Sequence, residues 1–305
     1  MSLLSELKTP GHVGEAIIHY NHALDKKDGG LPKVDVARAL FDGLNKLQTE
    51  WLMGQQDQQV GEVKRYQLMI LSELQAELRR GFLRSDELRA LVLLEPQIMN
   101  HDTLRDGGYR PGIEIEPRLA KKAAEEHRKL VTAYHKLERN SGLEIEERVI
   151  KRAAELMYVV RSNIAHGEKT SNGPDLAKKD RDEQVCLSVI PLQELLFDYL
   201  LDRPSRRLVS YGTLAPGQRN QQLVADVPGN WEECSIRGLI HVDRGLSTFS
   251  WNPVGSEVKA SLFSSTDLPT LWHKIDAFEG SGYKRRLIPA KTQAGIVIAN
   301  VYTGS

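Results

Sequence analysis

The chain has few cysteines, no net charge and no long apolar run. Cys186 and Cys234 are the only cysteines in 305 residues, and neither belongs to a CxxC or His-flanked metal pattern. Lys/Arg and Asp/Glu balance at 41 each, so the composition gives no bias toward polyanions. No stretch reaches the roughly 18 apolar residues of a membrane span, and the start lacks the features of a leader peptide. We therefore expect a cytoplasmic protein with no membrane partner.

Several common catalytic signatures are also missing. The sequence contains no Walker loop and no GxGxxG, GxSxG or HExxH motif. Glu126, His127 and His135 fall in a charged helical pattern without the paired histidines of a zinc helix. We expect neither a metal nor another cofactor.

Two patterns divide the sequence, and its length is about that of two typical domains. Helical spacing dominates the first two hundred residues, as in Leu40, Leu44, Leu47 and Trp51. After Arg206 short β-rich runs take over, and the polar, proline-bearing segment 202–205 between the two patterns suits a boundary. We predict a multidomain α and α+β protein. A helical domain spans residues 1–203, and a small mixed β-barrel or α+β domain spans residues 206–305.

The β-rich part also contains one helix. Strands are predicted at 208–211, 236–241, 258–263, 287–290 and 296–302. The helix follows Thr266 and Asp267, with Leu271, Ile275 and Phe278 as its expected apolar face. In the helical part, a helix is predicted from Glu144 through Val160, and a last one at about 191–201.

Glu279 is the acid that stands out in the second domain. It ends the predicted helix directly before Gly280, where partial burial and the negative end of the helix dipole both raise a carboxyl pKa. A raised pKa suits a group that must accept and return a proton near neutral pH. The alternative is an exposed acid at a helix end with a glycine C-cap.

Four segments, in order, resemble the γ-glutamylcyclotransferase-like family, which includes plant AIG2-like proteins. They are Tyr211-Gly212-Thr213-Leu214 for the family's Tyr-Gly-Ser-Leu loop, Val258-Lys259-Ala260-Ser261-Leu262-Phe263 for a strand, Asp276 to Arg285 for the acid-bearing segment, and Ala299-Asn300-Val301-Tyr302 for the last strand. Conservative departures occur at Thr213, Ala260, Phe263 and Ile275. The resemblance covers residues 206–305.

The resemblance implies a reaction and its site residues. Glu279 matches the general acid/base, and Tyr211, Gly212, Thr213 and Leu214 match the loop whose backbone amides hold a γ-glutamyl group. Tyr283 matches a tyrosine that lines the pocket. The implied substrate is a small γ-glutamyl amine, whose α-amine attacks its own γ-carbonyl to form 5-oxoproline and release the amine. This is the chemistry of a lyase or acyltransferase.

A second motif lies in the helical part, where Arg161, Asn163, His166 and Gly167 form the string Arg-x-Asn-x-x-His-Gly. It resembles the Arg-x4-His motif of Apea-like HEPN domains, many of which are metal-independent ribonucleases of toxin or defence systems. On a straight helix Arg161 and His166 lie about 140° apart, so a shared site requires the helix to end at Gly167 or a second subunit. The alternative is that Arg161 pairs with an acid.

Three functions therefore follow from the sequence. The first is a γ-glutamylcyclotransferase-like enzyme that uses Glu279, with the helical domain providing dimerisation or regulation; a homodimer is expected. The second is a HEPN-type ribonuclease that acts on RNA through Arg161, Asn163 and His166, with the C-terminal domain as a sensor or modifier. The third is a non-catalytic protein that binds a small ligand and itself.

Overall fold

The computed structural model describes residues 11–55, 59–94, 117–139, 142–165, 176–243 and 246–304. The chain divides into two compact units. One unit is His22–Leu200, and the other joins Leu201–Ser305 to the described part of Met1–Asn21. Within this second unit the side chain of Asn21 donates a hydrogen bond to Leu287 O at 2.8 Å and accepts one from Leu287 N at 2.9 Å.

Helices account for the first unit. The helices of the described residues up to Leu200 are α1 (His12–Asp28), α2 (Lys33–Met53), α3 (Glu62–Glu73), α4 (Ala76–Leu83), α5 (Asp86–Val92), α6 (Pro117–Arg139), α7 (Leu143–Ala165) and α8 (Leu176–Leu200). Helix α2 packs against α8, and α7 packs against α3 and α6. The buried stripe of α2 contains Leu40, Leu44, Leu47 and Trp51, as their spacing predicts.

The prediction of a last helix beginning near Pro191 is wrong. Helix α8 already begins at Leu176 and contains Pro191 in its interior. Proline removes one helical hydrogen bond and crowds the preceding turn. The helix continues because residues on both sides of Pro191, including Val185, Val189, Leu192 and Leu196, are buried. Their packing outweighs the local preference.

The second unit is a closed, mixed β-barrel. Its strands are β1 (Arg207–Ser210), β2 (Asn230–Asp243), β3 (Leu246–Trp251), β4 (Ser256–Ser264), β5 (Tyr283–Thr292) and β6 (Gly295–Gly304). The sheet order is β3-β2-β4-β1-β6-β5, and an additional β2–β5 pairing closes five of the strands into a barrel. Strands β1 and β6 pair in parallel, whereas the other pairs are antiparallel.

Alternation along the strands builds two cores. One cluster contains Val209, Leu262 and Val301, together with Phe249 and Ile288. The residue next to each of the first three belongs to the other cluster. That cluster contains Leu208, Phe263 and Tyr302, together with Leu271, Trp272 and Ile275 at and within the helix. Successive side chains of a strand point to opposite faces, so one cluster fills the barrel and the other packs under helix α9 (Trp272–Glu279).

The predicted combination of a helical part with a small mixed α+β barrel is confirmed. All five predicted strands occur, but β3 was not predicted, and β2 is much longer than expected. The HEPN-like arrangement of the helices stays a prediction. No helix of the described residues has the length and apolarity that crossing a membrane requires.

Candidate active site

The loop 211–214 follows β1 directly, and the side chain of Tyr211 anchors it. The Tyr211 hydroxyl donates to Tyr302 O at 2.8 Å and accepts a hydrogen bond from Phe249 N at 3.2 Å. Its ring packs against that of Phe249, with the centroids 5.5 Å apart. The Tyr211 hydroxyl is therefore already hydrogen-bonded within the barrel. We expect the loop to contact a ligand through its backbone.

The backbone of the loop is held through its carbonyl groups. Gly212 O accepts from Ala215 N at 3.1 Å, and Thr213 O accepts from Asn220 N at 3.0 Å. The Asn220 amide also donates to Thr213 Oγ1 at 2.9 Å. Within the described part of the chain, the N–H groups of Gly212, Thr213 and Leu214 have no hydrogen-bond acceptor. The side chain of Leu214 is buried in the core, so it fixes the loop rather than lining an open surface.

Helix α9 carries Glu279 on its buried face. At about 100° per residue, Glu279 falls between Trp272 and Ile275, roughly 20° from the first and 40° from the second. Trp272 and Ile275 are buried, and Glu279 is half-buried. The expectation that Phe278 belongs to the apolar face is wrong, because Phe278 is 45% exposed. It lies roughly 60° beyond Ile275, at the margin of this face.

The position of Glu279 determines its electrostatics. Burial raises the pKa of the Glu279 carboxyl above its ordinary value, because a less polar environment disfavours the ionised form. Burial is also the main cause of the raised pKa of Tyr211, to which the charges of Tyr283 and Glu279 add. The pKa of Tyr302 is raised by burial and by Asp276, with a smaller effect of Glu279. Glu279 thus interacts electrostatically with the tyrosines beside the 211–214 loop.

Gly280 turns the chain immediately after Glu279. Its backbone angles are φ 64° and ψ −163°, a combination that is essentially restricted to glycine. The turn ends at Gly282, and β5 begins at Tyr283, which is half-buried and packs against the cluster under α9. Position 280 therefore requires a backbone conformation that glycine readily adopts, and Tyr283 is the first residue of the next strand.

Asp276 holds α9 to the barrel. It accepts from the Tyr302 hydroxyl at 2.6 Å and from Arg285 Nε and Nη2 at 3.0 and 3.1 Å. The Arg285 guanidinium in turn lies 4.4 Å from the ring centroid of Trp272, a cation–π arrangement. Asp276, Arg285 and Tyr302 belong to the segments that suggested the family resemblance, but their supporting role was not predicted. The feature of the sequence that could have indicated this role is Asp276, an acid one helical turn before Glu279.

In the helical unit, Arg161 is paired with an acid. Arg161 Nη1 donates to both carboxylate oxygens of Glu62, at 2.6 and 2.7 Å. With its amide oxygen turned toward Arg161, Asn45 accepts from Nε and Nη2 at 3.0 Å. The side chain of Asn163 and the whole of His166 lie outside the described residues. The structure thus describes the Arg161 half of the Arg-x4-His motif, and Glu62 and Asn45 are its partners.

The β-rich part of the second unit, residues 201–304, is referred to below as the C-terminal unit. It is a small closed barrel of mixed strands, and its helix α9 carries a half-buried glutamate. No protein-family model matches the chain. No curated protein matches it.

Two solved structures are similar to parts of the chain. YkqA from Bacillus subtilis is 26% identical over 33% of this chain and 36% of that one, with a TM-score of 0.29. A variant of Kluyveromyces lactis allophanate hydrolase is 10% identical over 81% of this chain and 52% of that one, with a TM-score of 0.25. The chain thus spans about a third and about half of these two proteins. At such low TM-scores, neither likeness defines the fold or the chemistry of this chain.

Proposed function

We propose that the C-terminal unit is a γ-glutamylcyclotransferase-like enzyme that converts a γ-glutamyl amine into 5-oxoproline and a free amine. The observation that carries this proposal is the position of Glu279. It is a half-buried carboxyl with a raised pKa at the end of α9. Tyr302 connects α9 to the 211–214 loop, because it accepts a hydrogen bond from Tyr211 and donates one to Asp276, one helical turn before Glu279. A proton-transfer group and a loop of available N–H groups are the two components that the reaction needs.

The proposed proton path uses Glu279 twice. The α-amine nitrogen of the substrate forms a bond to its own γ-carbonyl carbon, and the Glu279 carboxylate accepts a proton from that nitrogen. The bond between the γ-carbon and the leaving nitrogen then breaks, and Glu279 returns the proton to the leaving amine. Atoms balance without water or a further reactant. A carboxyl whose pKa is raised toward neutrality performs both transfers with a small energetic penalty.

The 211–214 loop is proposed to stabilise the developing oxyanion. As the ring closes, the γ-carbonyl oxygen becomes negatively charged, and backbone N–H groups that are already oriented toward it stabilise that charge. No described residue accepts from the N–H groups of Gly212, Thr213 and Leu214, so we assign this role to them. The carbonyl-side bonds to Ala215 and Asn220 hold the loop in place before substrate arrives, which favours transition-state binding.

The test is the release of 5-oxoproline from a panel of γ-glutamyl amines and γ-glutamyl amino acids, measured by mass spectrometry. We expect Glu279→Gln to lower kcat by about 100-fold to 10,000-fold, the usual contribution of general acid–base catalysis. Glu233→Gln is the matched control, since Glu233 is an exposed glutamate on β2. Release at the wild-type rate by Glu279→Gln would refute the proposal. Tight binding of a γ-glutamyl compound without turnover would favour the non-catalytic alternative.

A further inference from the structure

A second concave site lies at the other end of β1, away from the Tyr211 loop. It is an open cavity of about 730 Å³, formed where the chain enters β1, β4 ends and β2 begins. The cavity lies wholly within the C-terminal unit and is lined by Asp202, Arg203, Arg206, Arg207, Pro228, Gly229, Asn230, Ser264, Ser265 and Thr266. Strand β1 has four residues, so it separates this cavity from the 211–214 loop by roughly 13 Å.

The lining is strongly basic for its size. It contains three arginines and a single acid, Asp202. Arg207 is paired with this acid. Its guanidinium forms an ion pair with the Asp202 carboxylate and also donates a hydrogen bond to the Asp202 carbonyl. The one acid is therefore already engaged with one arginine, and the cavity keeps an excess of positive charge.

Arg206 has an unmet hydrogen-bonding requirement. Its Nε is buried, and among the described residues no atom accepts a hydrogen bond from it. A buried donor of a charged group without an acceptor is destabilising, whereas a charge-assisted bond to an anion is among the stronger hydrogen bonds in proteins. Arg206 lines the cavity, so its guanidinium group can form charge-assisted hydrogen bonds with an anionic ligand there.

The turn that carries Arg206 is fixed by the barrel and by α9. Asn300 Nδ2 donates to Pro204 O at 2.7 Å, and Trp272 Nε1 donates to Ser205 O at 2.8 Å. Arg206 O accepts from Ser265 N at 2.9 Å. The backbone of this turn is thus held in the absence of any ligand, and a preorganised site loses less entropy on binding.

The remaining lining identifies the chemistry of the ligand. Ser264, Ser265 and Thr266 contribute hydroxyls and Asn230 an amide, whereas Pro228 is the main apolar residue. Guanidinium groups match the oxygens of phosphate in a bidentate manner, and the volume falls within the range of about 300–1,000 Å³ typical of small-molecule sites. We propose that this cavity binds a small molecule through its phosphate groups. This proposal does not depend on the cyclotransferase assignment.

The test uses inorganic pyrophosphate as the probe and isothermal titration calorimetry of the full chain. We expect wild-type protein to bind pyrophosphate and Arg206→Gln to bind it about tenfold or more weakly, since a charge-assisted bond is lost. Arg206→Lys keeps the charge but loses the planar guanidinium group, so its affinity should be intermediate. Arg219→Gln is the matched control, because Arg219 is an exposed arginine of the same unit that does not line the cavity.

Three results would overturn the proposal. The first is the absence of pyrophosphate binding to wild-type protein at millimolar concentration. The second is equal weakening by Arg206→Gln and Arg219→Gln. The third is an oligonucleotide that binds through Arg206 without competition from pyrophosphate, which would assign the cavity to a nucleic acid. Melting curves of the variants detect misfolding, and the Arg206→Lys result remains decisive if Arg206→Gln does not fold.

Discussion

Replacing Gly280 by alanine tests whether the backbone after Glu279 has the unusual conformation described above. A Cβ at this position meets no atom within 4 Å, so the substitution introduces no clash. Its whole effect comes from φ 64° and ψ −163°, where an L residue is disfavoured by about 1–3 kcal/mol. The free energy of unfolding of the C-terminal unit should fall by that amount.

This loss corresponds to a large change in melting temperature. For a domain of roughly 100 residues, 1 kcal/mol shifts the melting temperature by about 4–8 °C, so Gly280→Ala should lower it by about 4 °C or more. Tryptophan fluorescence is a suitable signal, because Trp231, Trp251 and Trp272 of the four tryptophans lie in this unit. If the variant relaxes into an ordinary backbone region, Glu279 is displaced, and 5-oxoproline release should fall as well.

Gly282→Ala is the control, two residues along the same turn. Its Cβ also meets no atom within 4 Å, but Gly282 does not have a positive φ. Alanine should therefore be neutral there or stabilise the unit by about 0.4–1 kcal/mol, through the lower entropy of the unfolded chain. Equal shifts of melting temperature in the two variants would refute the conformational argument.

Three further predictions concern Glu279, Arg161 and His166. Because burial raises the pKa of Glu279 in the folded state above its ordinary value of 4.5, its contribution to stability is lost as the pH rises through that raised pKa. Glu279→Gln should thus gain in melting temperature relative to wild type as the pH rises from below 4.5 through the raised pKa, and an unchanging difference would contradict this. Arg161→Ala leaves Glu62 without its ion pair and should lower the free energy of unfolding by about 1–3 kcal/mol in urea titrations. The ribonuclease hypothesis predicts that Arg161→Ala and His166→Ala both abolish RNA cleavage, whereas equal growth arrest by both variants and wild type would refute it.

Local pattern predicted the elements of the barrel well. Leu208, Leu262 and Val301 lie in apolar runs bounded by glycine or polar residues, and such runs indicate strands wherever they occur. Strand β3 was missed because Ser247, Thr248 and Ser250 give it little apolar character. It forms as the hairpin partner of β2, so pairing with a neighbouring strand rather than its own composition determines it.

The sequence predicts only part of the candidate site, because some of its residues are brought together by the fold rather than by their order in the chain. Glu279 and Gly280 are adjacent and could be singled out from the chain. The bonds from Tyr302 and Arg285 to Asp276 depend on how α9 packs on the barrel, which local periodicity does not determine. Phe278 was misassigned because its spacing from Leu271 and Ile275 suggested one apolar face, although an eight-residue helix buries only the part that contacts the sheet.

The arginine-lined cavity was not predictable for a similar reason. Arg206 and Arg207 are adjacent in sequence, yet Asn230 and Ser264 reach the same place only through strand register, since Ser264 pairs with both Arg207 and Asn230. The overall charge balance gave no indication of anion binding. Composition averages over the whole surface, whereas a binding site depends on a few side chains that the fold brings together.

The short strand β1 gives both candidate sites the same anchor. It lies between β4 and β6 and pairs with each of them in a closed barrel, so separating it requires breaking two ladders at once. The turn bearing Arg206 and the loop beginning at Tyr211 are joined to its two ends. Each site is therefore attached to a strand that is paired on both sides, so opening of the barrel at β1 would disturb both sites together.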